Sequence, residues 1–142
     1  MKVKPGMISL NRVEKSLREA EKYLAAADSS YVETLDNENK IWNPVIVNCI
    51  MSMIKSVDAL MLEKRGRTNQ DHSTTSRELQ SLYEDGLISD NFKSNIDSVR
   101  KWVVDEKTAI QYRNKQVSQS DAERALKATK RFLQKTNGEL EK

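Results

Sequence analysis

The chain has 142 residues, with 24 Lys and Arg against 21 Asp and Glu, so its formal net charge is only +3. This length suits one domain over residues 1–142, and the small positive excess permits an anionic partner without requiring one. With four Gly, two Pro, 6% aromatics and one Cys, the composition excludes a sandwich or barrel of many short strands, an internal disulfide and a cysteine-based zinc site. The lone cysteine also fits a reducing, cytoplasmic location.

Apolar side chains recur at alternating steps of three and four along the first segment. This spacing predicts an amphipathic helix near residues 8 to 34, and the polar run from Asp36 to Lys40 is predicted as a loop. The first nine residues have no apolar stretch, so we expect no secretory signal there. The buried stripe of the helix is predicted to be Leu10, Val13, Leu17, Ala20, Leu24, Ala27 and Tyr31.

The second helix has the clearest boundaries in the sequence. Asn43 is predicted to cap it, Pro44 to occupy its first position and Gly66 to end it. Its apolar residues lie on several faces, which predicts a helix central in the fold or shared with a second subunit. Polar residues such as Lys55 and Asp58 argue against a membrane span, which needs about 20 mostly apolar residues.

Two further helices are predicted in the middle of the chain. The residues from Thr75 to Glu78 have the form of a capping box, and Gly86 is predicted to end the short third helix. A fourth helix is expected to begin at Ser89 or Asp90 and to run to about Tyr112. Its predicted buried stripe is Phe92, Ile96, Val99, Val103 and Ile110, with Trp102 and Ala109 on its flank.

The last helix is predicted to open with a second capping box, from Ser120 to Glu123, and to close at Asn137 and Gly138. Its inward residues are predicted to be Ala122, Ala125, Leu126, Thr129, Phe132 and Leu133. Five helices without a credible strand predict an all-α fold, an up-and-down antiparallel helical bundle.

The sequence contains no phosphate-binding loop, dinucleotide-binding, metalloprotease or nucleophile-elbow motif. Cys49 and His72, the only residues of their types, are one conceivable nucleophilic pair. Cys49 lies within an apolar helix, however, which favours a buried cysteine that acts as a small hydrophobic residue. We therefore expect no catalytic residue set, no metal site and no cofactor.

Three basic clusters each have a structural and a functional interpretation. The first follows the second helix, where cations favour a helix C-terminus or contact phosphate. The second, on the last helix, is predicted as a solvated face, with Glu123 pairing with Lys127 one turn away. The third is either an anion clamp or a surface lysine beside a half-buried tyrosine. The clusters are Lys64, Arg65, Arg67, His72 and Arg77; Arg124, Lys127, Lys130, Arg131 and Lys135; and Lys107, Tyr112, Arg113 and Lys115.

The order of these segments resembles the HEPN superfamily of small helical domains. The resemblance rests on Asn43-Pro44 opening an apolar helix that ends at Gly66, then His72, then the run from Lys107 to Tyr112, then the acidic-capped last helix. It implies an up-and-down bundle, frequently a homodimer, that acts on or near RNA or nucleotides. It also implies a nucleotidyltransferase as a frequent partner, in a toxin–antitoxin pair.

Catalytic members of that family carry an arginine and, four to six residues later, a histidine, which together cleave RNA without a metal. Here Arg113 and Asn114 precede Lys115, Gln116, Val117 and Ser118, so the histidine is missing. Another branch has an arginine five residues before a tyrosine, and Lys107 and Tyr112 occupy those places. Lysine keeps the charge but lacks the planar fork that binds phosphate with two parallel hydrogen bonds.

The resulting hypothesis is a non-catalytic module, dimeric through its apolar helices, that binds RNA, a nucleotide or a nucleotidyltransferase partner. Lys107 and Arg113 would hold phosphate, Tyr112 would stack on or hydrogen-bond the ligand, and His72 would line the same cleft. One alternative is a weak metal-independent ribonuclease that uses Arg113 and His72. Histidine is the residue type whose reference pKa lies near neutrality, and His72 is the only histidine here. A second is a structural interaction protein whose basic residues are only surface.

Overall fold

The computed structural model describes residues 5–68, 72–106 and 115–141, with side chains for 11–68, 73–106 and 115–141. These ranges contain no strand and five α-helices, so the predicted all-α bundle is confirmed. Short 3₁₀ turns, His72–Thr74 and Asp90–Phe92, precede the third and fourth helices, and a π-helix, Arg100–Glu106, extends the fourth. The helices are α1 Pro5–Leu35, α2 Asn43–Arg65, α3 Thr75–Glu84, α4 Lys93–Val99 and α5 Gln119–Leu140.

Helix α2 lies at the centre of the bundle, with its most extensive contacts to α1 and α5. Thirteen of its 23 residues are buried, which agrees with the central position that the sequence predicts. By length and composition α2 is also apolar enough to cross a membrane, and 72% of its most apolar window is buried inside the bundle. Its several apolar faces are therefore used in packing against neighbouring helices.

Helix α1 packs along α2 through the stripe that its periodicity predicts. Val13, Ala20 and Ala27 are buried, and Leu17, Leu24 and Tyr31 are half-buried; the side chain of Leu10 lies outside the described residues. The small alanines allow close approach, and Ser52 Oγ donates a buried hydrogen bond of 2.7 Å to the carbonyl of Ala20. This bond joins the centres of α1 and α2.

The start of α2 differs from the prediction, whereas its end agrees. Trp42, not Asn43, occupies the capping position, and no side chain caps the helix there. Asn43 is already helical, and its Nδ2 instead donates 2.9 Å to the carbonyl of Lys115. Gly66 ends the helix with φ of +72°, a left-handed conformation that glycine adopts without strain.

Neither capping box forms as predicted, because no side chain caps the start of α3 and the box of α5 is formed by other residues. Thr75 is the first residue of α3, and the hydroxyl of Thr74 instead donates 2.9 Å to Oε1 of Glu78. At α5 the box forms two residues earlier than predicted, between Ser118 and Asp121, with bonds of 3.1 and 3.0 Å. Ser118 caps the helix in place of Ser120 because it directly precedes the helix and adopts the extended conformation of a capping residue.

The far end of α5 also differs from the prediction. The helix continues through Asn137 and Gly138 to Leu140, because Gly138 adopts the ordinary helical conformation. Its predicted inward residues are all buried, and Phe132 meets Phe92 edge to face with ring centroids 6.1 Å apart. This aromatic contact holds the start of α4 against α5.

Ser89, one of the two predicted starts of the fourth helix, caps the 3₁₀ turn Asp90–Phe92 through a hydroxyl that accepts from the amide of Asn91. The α-helix itself begins later, at Lys93. Trp102, expected on the flank of its stripe, is instead buried in the core with 4% exposure. The π-helix is the reason, since its wider turn rotates the residues after Val99 relative to a regular α-helix. Of the other predicted positions, Ala109, Ile110 and Tyr112 lie outside the described residues.

We expect Ser118→Ala to lower the free energy of unfolding by about 1 kcal/mol, because the mutation leaves the amide of Asp121 without its capping acceptor. Ser120→Ala, in the exposed first turn of the same helix, is the matched control and should change stability little. Urea unfolding followed by circular dichroism measures both variants. Equal losses in the two variants would contradict the observed box.

Candidate nucleic-acid interface

The predicted phosphate-binding residues can be located only through their surroundings. Lys107, Tyr112 and Arg113 lie outside the described residues, and the side chain of His72 does as well, although its backbone begins the 3₁₀ turn before α3. Whether the four side chains meet in one cleft therefore stays a prediction. The residues on either side of 107–114 are described.

The two described residues that flank the stretch 107–114 contact each other. Nζ of Lys115 is 2.7 Å from Oε2 of Glu106, so an ion pair joins the residue before the stretch to the residue after it. The side chain of Asn43 holds the carbonyl of Lys115, and Asn43 begins α2. Lys115, the residue after the stretch 107–114, therefore lies beside the N-terminus of α2, which is the positive end of its helix dipole.

A cluster of polar and aromatic side chains lies next to this junction. Tyr31 donates a 2.6 Å hydrogen bond from its hydroxyl to Glu123, and Gln119 donates to both residues. The bond to Glu123 raises the pKa of Tyr31, and the same bond lowers the pKa of Glu123. Trp42 packs on the Tyr31 ring with centroids 5.3 Å apart. Glu123 is thus engaged with α1, and its predicted pairing with Lys127 is absent from the described ion pairs.

The basic cluster after α2 is partly structural. Arg65 donates to Oδ2 of Asp85 at 2.6 Å and to the hydroxyl of Ser81 at 3.0 Å, which fixes the end of α2 to α3. Lys64 lies 3.8 Å from the buried carboxylate of Glu139. These contacts favour the structural interpretation for two of the four lysine and arginine residues in that cluster.

The conceivable nucleophile Cys49 is buried. Burial raises the pKa of its thiol to about 12, well above the ordinary value of 9.0. At neutral pH the side chain is therefore a neutral thiol rather than a reactive thiolate. Cys49 accordingly behaves as a core residue, as its apolar surroundings predict.

The basic face of α5 is divided between two surroundings. Lys130 pairs with Asp28 of α1 at 3.0 Å. The other four cations, Arg124, Lys127, Arg131 and Lys135, face α4 across a groove of about 570 Å³, whose opposite wall consists of Ser94, Asn95 and Ser98. The prediction of a uniformly solvated face is therefore incomplete, because four of its five cations share one concave surface.

A second groove, of about 450 Å³, follows the outer side of α1. Its lining carries both charges, with Glu14 and Glu19 beside Lys15, Arg18 and Lys22. Glu19 also pairs with Lys55 at 3.0 Å. This mixture favours neither anions nor cations. Among the described residues, no group of three or more His, Cys, Asp or Glu side chains is arranged to hold a metal ion.

Comparison with protein families gives one match, to the model of the HEPN domain, over residues 13–139. The chain belongs to the HEPN domain family. The match includes α2, α3 and α4 in full, most of α1 and α5, the stretch 107–114 and the groove between α4 and α5. Comparison with curated proteins finds no significant match. A HEPN domain is consistent with a module related to nucleotides or RNA, and domains of this family commonly dimerise.

One titratable residue of this HEPN bundle does not stand out in the sequence. Burial raises the pKa of Asp58, on α2, from 3.8 to about 6, an effect that Lys55 opposes and that Glu78 and Glu19 reinforce. The only sequence signal is a carboxylate on a helix that is otherwise largely apolar. Its charge at neutral pH therefore costs folding free energy.

The pKa of Asp58 is higher in the folded state than in the unfolded chain, so its ionisation lowers stability as pH rises from about 4 to about 6. We expect Asp58→Asn to become more stable than the parent over this range, by about 1 kcal/mol after allowance for solvent screening.

Urea unfolding at about pH 4 and about pH 7 measures this difference. The control is Glu63→Gln, which removes an exposed carboxylate from the same helix. A stability difference between Asp58→Asn and the parent that is independent of pH would show that burial of Asp58 does not shift its pKa.

Proposed function

We propose that this HEPN chain is a non-catalytic module that binds phosphate groups of RNA or of a nucleotide. Lys107 and Arg113 hold the phosphate, Tyr112 stacks on or hydrogen-bonds the ligand, and His72 lines the same cleft. The observation that supports the proposal is the contact of Lys115 with Glu106 and Asn43, which places the residue after the stretch 107–114 at the N-terminus of α2. A helix N-terminus favours anions, so two cations that precede Lys115 closely in sequence suit an anion site.

The chemistry of the chain supports binding rather than cleavage. No histidine follows Arg113 at the spacing of the catalytic members, and the Cys49 thiol is neutral at physiological pH. Histidine is the residue type whose intrinsic pKa suits general acid–base catalysis near neutrality, and His72 is the one histidine of the sequence. The competing function is therefore a weak metal-independent ribonuclease, which differs from the proposed module in turning over its ligand.

A homodimer is part of the proposal. Three large apolar side chains at the connection of α1 and α2 are exposed: Val32 at 58%, Leu35 at 42% and Ile41 at 62%. A second copy of the chain would cover them, which agrees with the frequent dimerisation of HEPN domains. A nucleotidyltransferase of a toxin–antitoxin pair is the proposed protein partner.

We expect Arg113→Ala to weaken binding of a mixed-sequence labelled RNA at least about tenfold, because a hydrogen-bonded phosphate contact to a charged group contributes roughly 1.5–3 kcal/mol. Arg12→Ala, which removes an exposed arginine from α1, is the control and should bind like the parent. A gel-shift assay at low salt with EDTA measures binding and cleavage together. Unchanged affinity in Arg113→Ala would exclude the clamp.

Cleaved RNA in the same lanes would overturn the non-catalytic assignment if His72→Ala abolished it. Cleavage that persists in His72→Ala would instead indicate a contaminating nuclease. An intact, shifted RNA that is lost in Arg113→Ala is the expected result.

We expect the parent protein to elute as a dimer and the double variant Val32→Lys/Ile41→Lys to elute at the 16.3 kDa of one chain, because two charges at this contact oppose association. Size-exclusion chromatography with light scattering measures the mass. Leu87→Lys, at an exposed apolar residue outside this patch, should stay dimeric. A parent that is monomeric at every accessible concentration would exclude the homodimer.

A further inference from the structure

The groove between α4 and α5 presents four cations in one row. Arg124, Lys127, Arg131 and Lys135 follow each other at steps of three and four along α5, so they occupy the same side of the helix. The rise of an α-helix separates neighbouring cations by about 4.5–6 Å and the two ends of the row by about 16 Å. The groove is therefore an extended positive surface rather than a point site.

The ends of this row are fixed and its middle is exposed. Nζ of Lys135 donates to the carbonyl of Asn91 at 2.7 Å and to Oδ1 of Asn95 at 2.9 Å. Arg124, at the other end, pairs with Asp121. Lys127 and Arg131 lie exposed between them, and no described residue forms an ion pair with either. Their charges are available to a ligand.

The opposite wall adds hydrogen-bonding groups without negative charge. Asn95 is buried, and its side-chain oxygen accepts a hydrogen bond from Lys135. The side-chain N–H groups of Asn95 are the remaining donors. Ser94 and Ser98 add two hydroxyls. Of the described residues that line the groove, none carries a carboxylate, and the apolar one is Ala128.

This lining distinguishes between two classes of polyanion. An acidic protein segment would be expected to anchor through large apolar or aromatic contacts, because such contacts dominate protein interfaces, and the groove offers none. A nucleic-acid backbone needs a row of cations and polar donors, which the groove supplies. The absence of an aromatic side chain from this lining also removes base stacking, so bases are not read there.

The groove begins near the start of α5, the helix that follows the stretch 107–114 in sequence. Arg124 lies five residues after Gln119, the first residue of α5, which is about 7.5 Å along the helix axis. Lys115 directly follows the stretch 107–114 and precedes Gln119 by four residues. An RNA strand bound by the proposed clamp near the start of α5 would therefore extend along the groove.

We propose that the groove between α4 and α5 is a second RNA-binding surface, which holds the sugar–phosphate backbone without regard to base sequence through Lys127 and Arg131. It rests on the proposed function only in taking RNA as the ligand, and it uses different residues from the clamp. Arg124 and Lys135 define the ends of the surface, and Ser94, Asn95 and Ser98 donate to backbone oxygens.

The test is the salt dependence of RNA binding in the double variant Lys127→Gln/Arg131→Gln. The matched control is Lys93→Gln/Lys130→Gln, which removes the same charge from exposed positions of α4 and α5 outside the groove. Fluorescence anisotropy of a labelled RNA, titrated between about 50 and 200 mM KCl, gives the affinity and its slope with salt. Circular dichroism of each variant checks that the fold is retained.

We expect the groove variant to bind at least about tenfold more weakly at low salt and its logarithmic salt slope to fall by about 1.4–1.8, which corresponds to two lost phosphate contacts. The control variant should keep nearly the parent's slope, and RNAs of different sequence should be affected equally. Equal slopes in the groove variant and the parent, or equal losses in both double variants, would overturn the proposal.

Comparison of the groove variant with Arg113→Ala also distinguishes this surface from the clamp experimentally. Binding lost in Arg113→Ala but unchanged in the groove variant would leave the clamp valid and overturn the second surface. Binding lost in the groove variant but unchanged in Arg113→Ala would support the groove and overturn the clamp. If labelled polyglutamate bound the groove with the same dependence on Lys127 and Arg131 while RNA did not, the ligand would be an acidic protein segment and the proposal would be wrong.

Discussion

Burial of α2 on most of its sides is the constraint on which the rest of the bundle depends. A helix enclosed in this way must satisfy its polar groups internally. Ser52 does so by donating to the Ala20 carbonyl, and Ser56 by donating to the carbonyl of Ser52. With α2 held in this position, Asn43 at its start contacts Lys115, and Arg65 at its end contacts α3. The surroundings of the proposed clamp therefore follow from how the core helix is packed.

The helices themselves were predictable because burial imposes a period on the sequence. Inward residues of α1 and α5 agree with that period, and Gly66 ends α2 because the left-handed conformation favours glycine. Capping was harder to predict, since Ser118 and Ser120 offer similar side chains within two residues. The backbone conformation selects between them, and the one-letter pattern does not contain it. Trp102 was misplaced for a related reason, as the wider turns of a π-helix are not visible in apolar spacing.

The candidate site was predictable as a set of charges but not as a set of contacts. The sequence identifies the basic residues of α5, yet only the fold shows that Lys130 meets Asp28 whereas Lys127 and Arg131 face α4 across a groove. Contacts between residues distant in sequence decide which cations are structural and which can meet a ligand. The same is true of Asp58, whose pKa depends on burial by neighbouring helices.

The π-helix Arg100–Glu106 leads directly into the stretch that carries Lys107 and Arg113. A π-helical turn contains one residue more than an α-helical turn, so removal of a single residue there would return the backbone to ordinary α-helical bonding. Each residue of an α-helix advances about 100° around the axis, and the direction in which the chain leaves Glu106 would turn by about that angle. A one-residue deletion could thus reorient the proposed clamp with every ligand-binding side chain retained. Length variation in this helix offers evolution a route to new ligand geometry that does not pass through substitutions at the site.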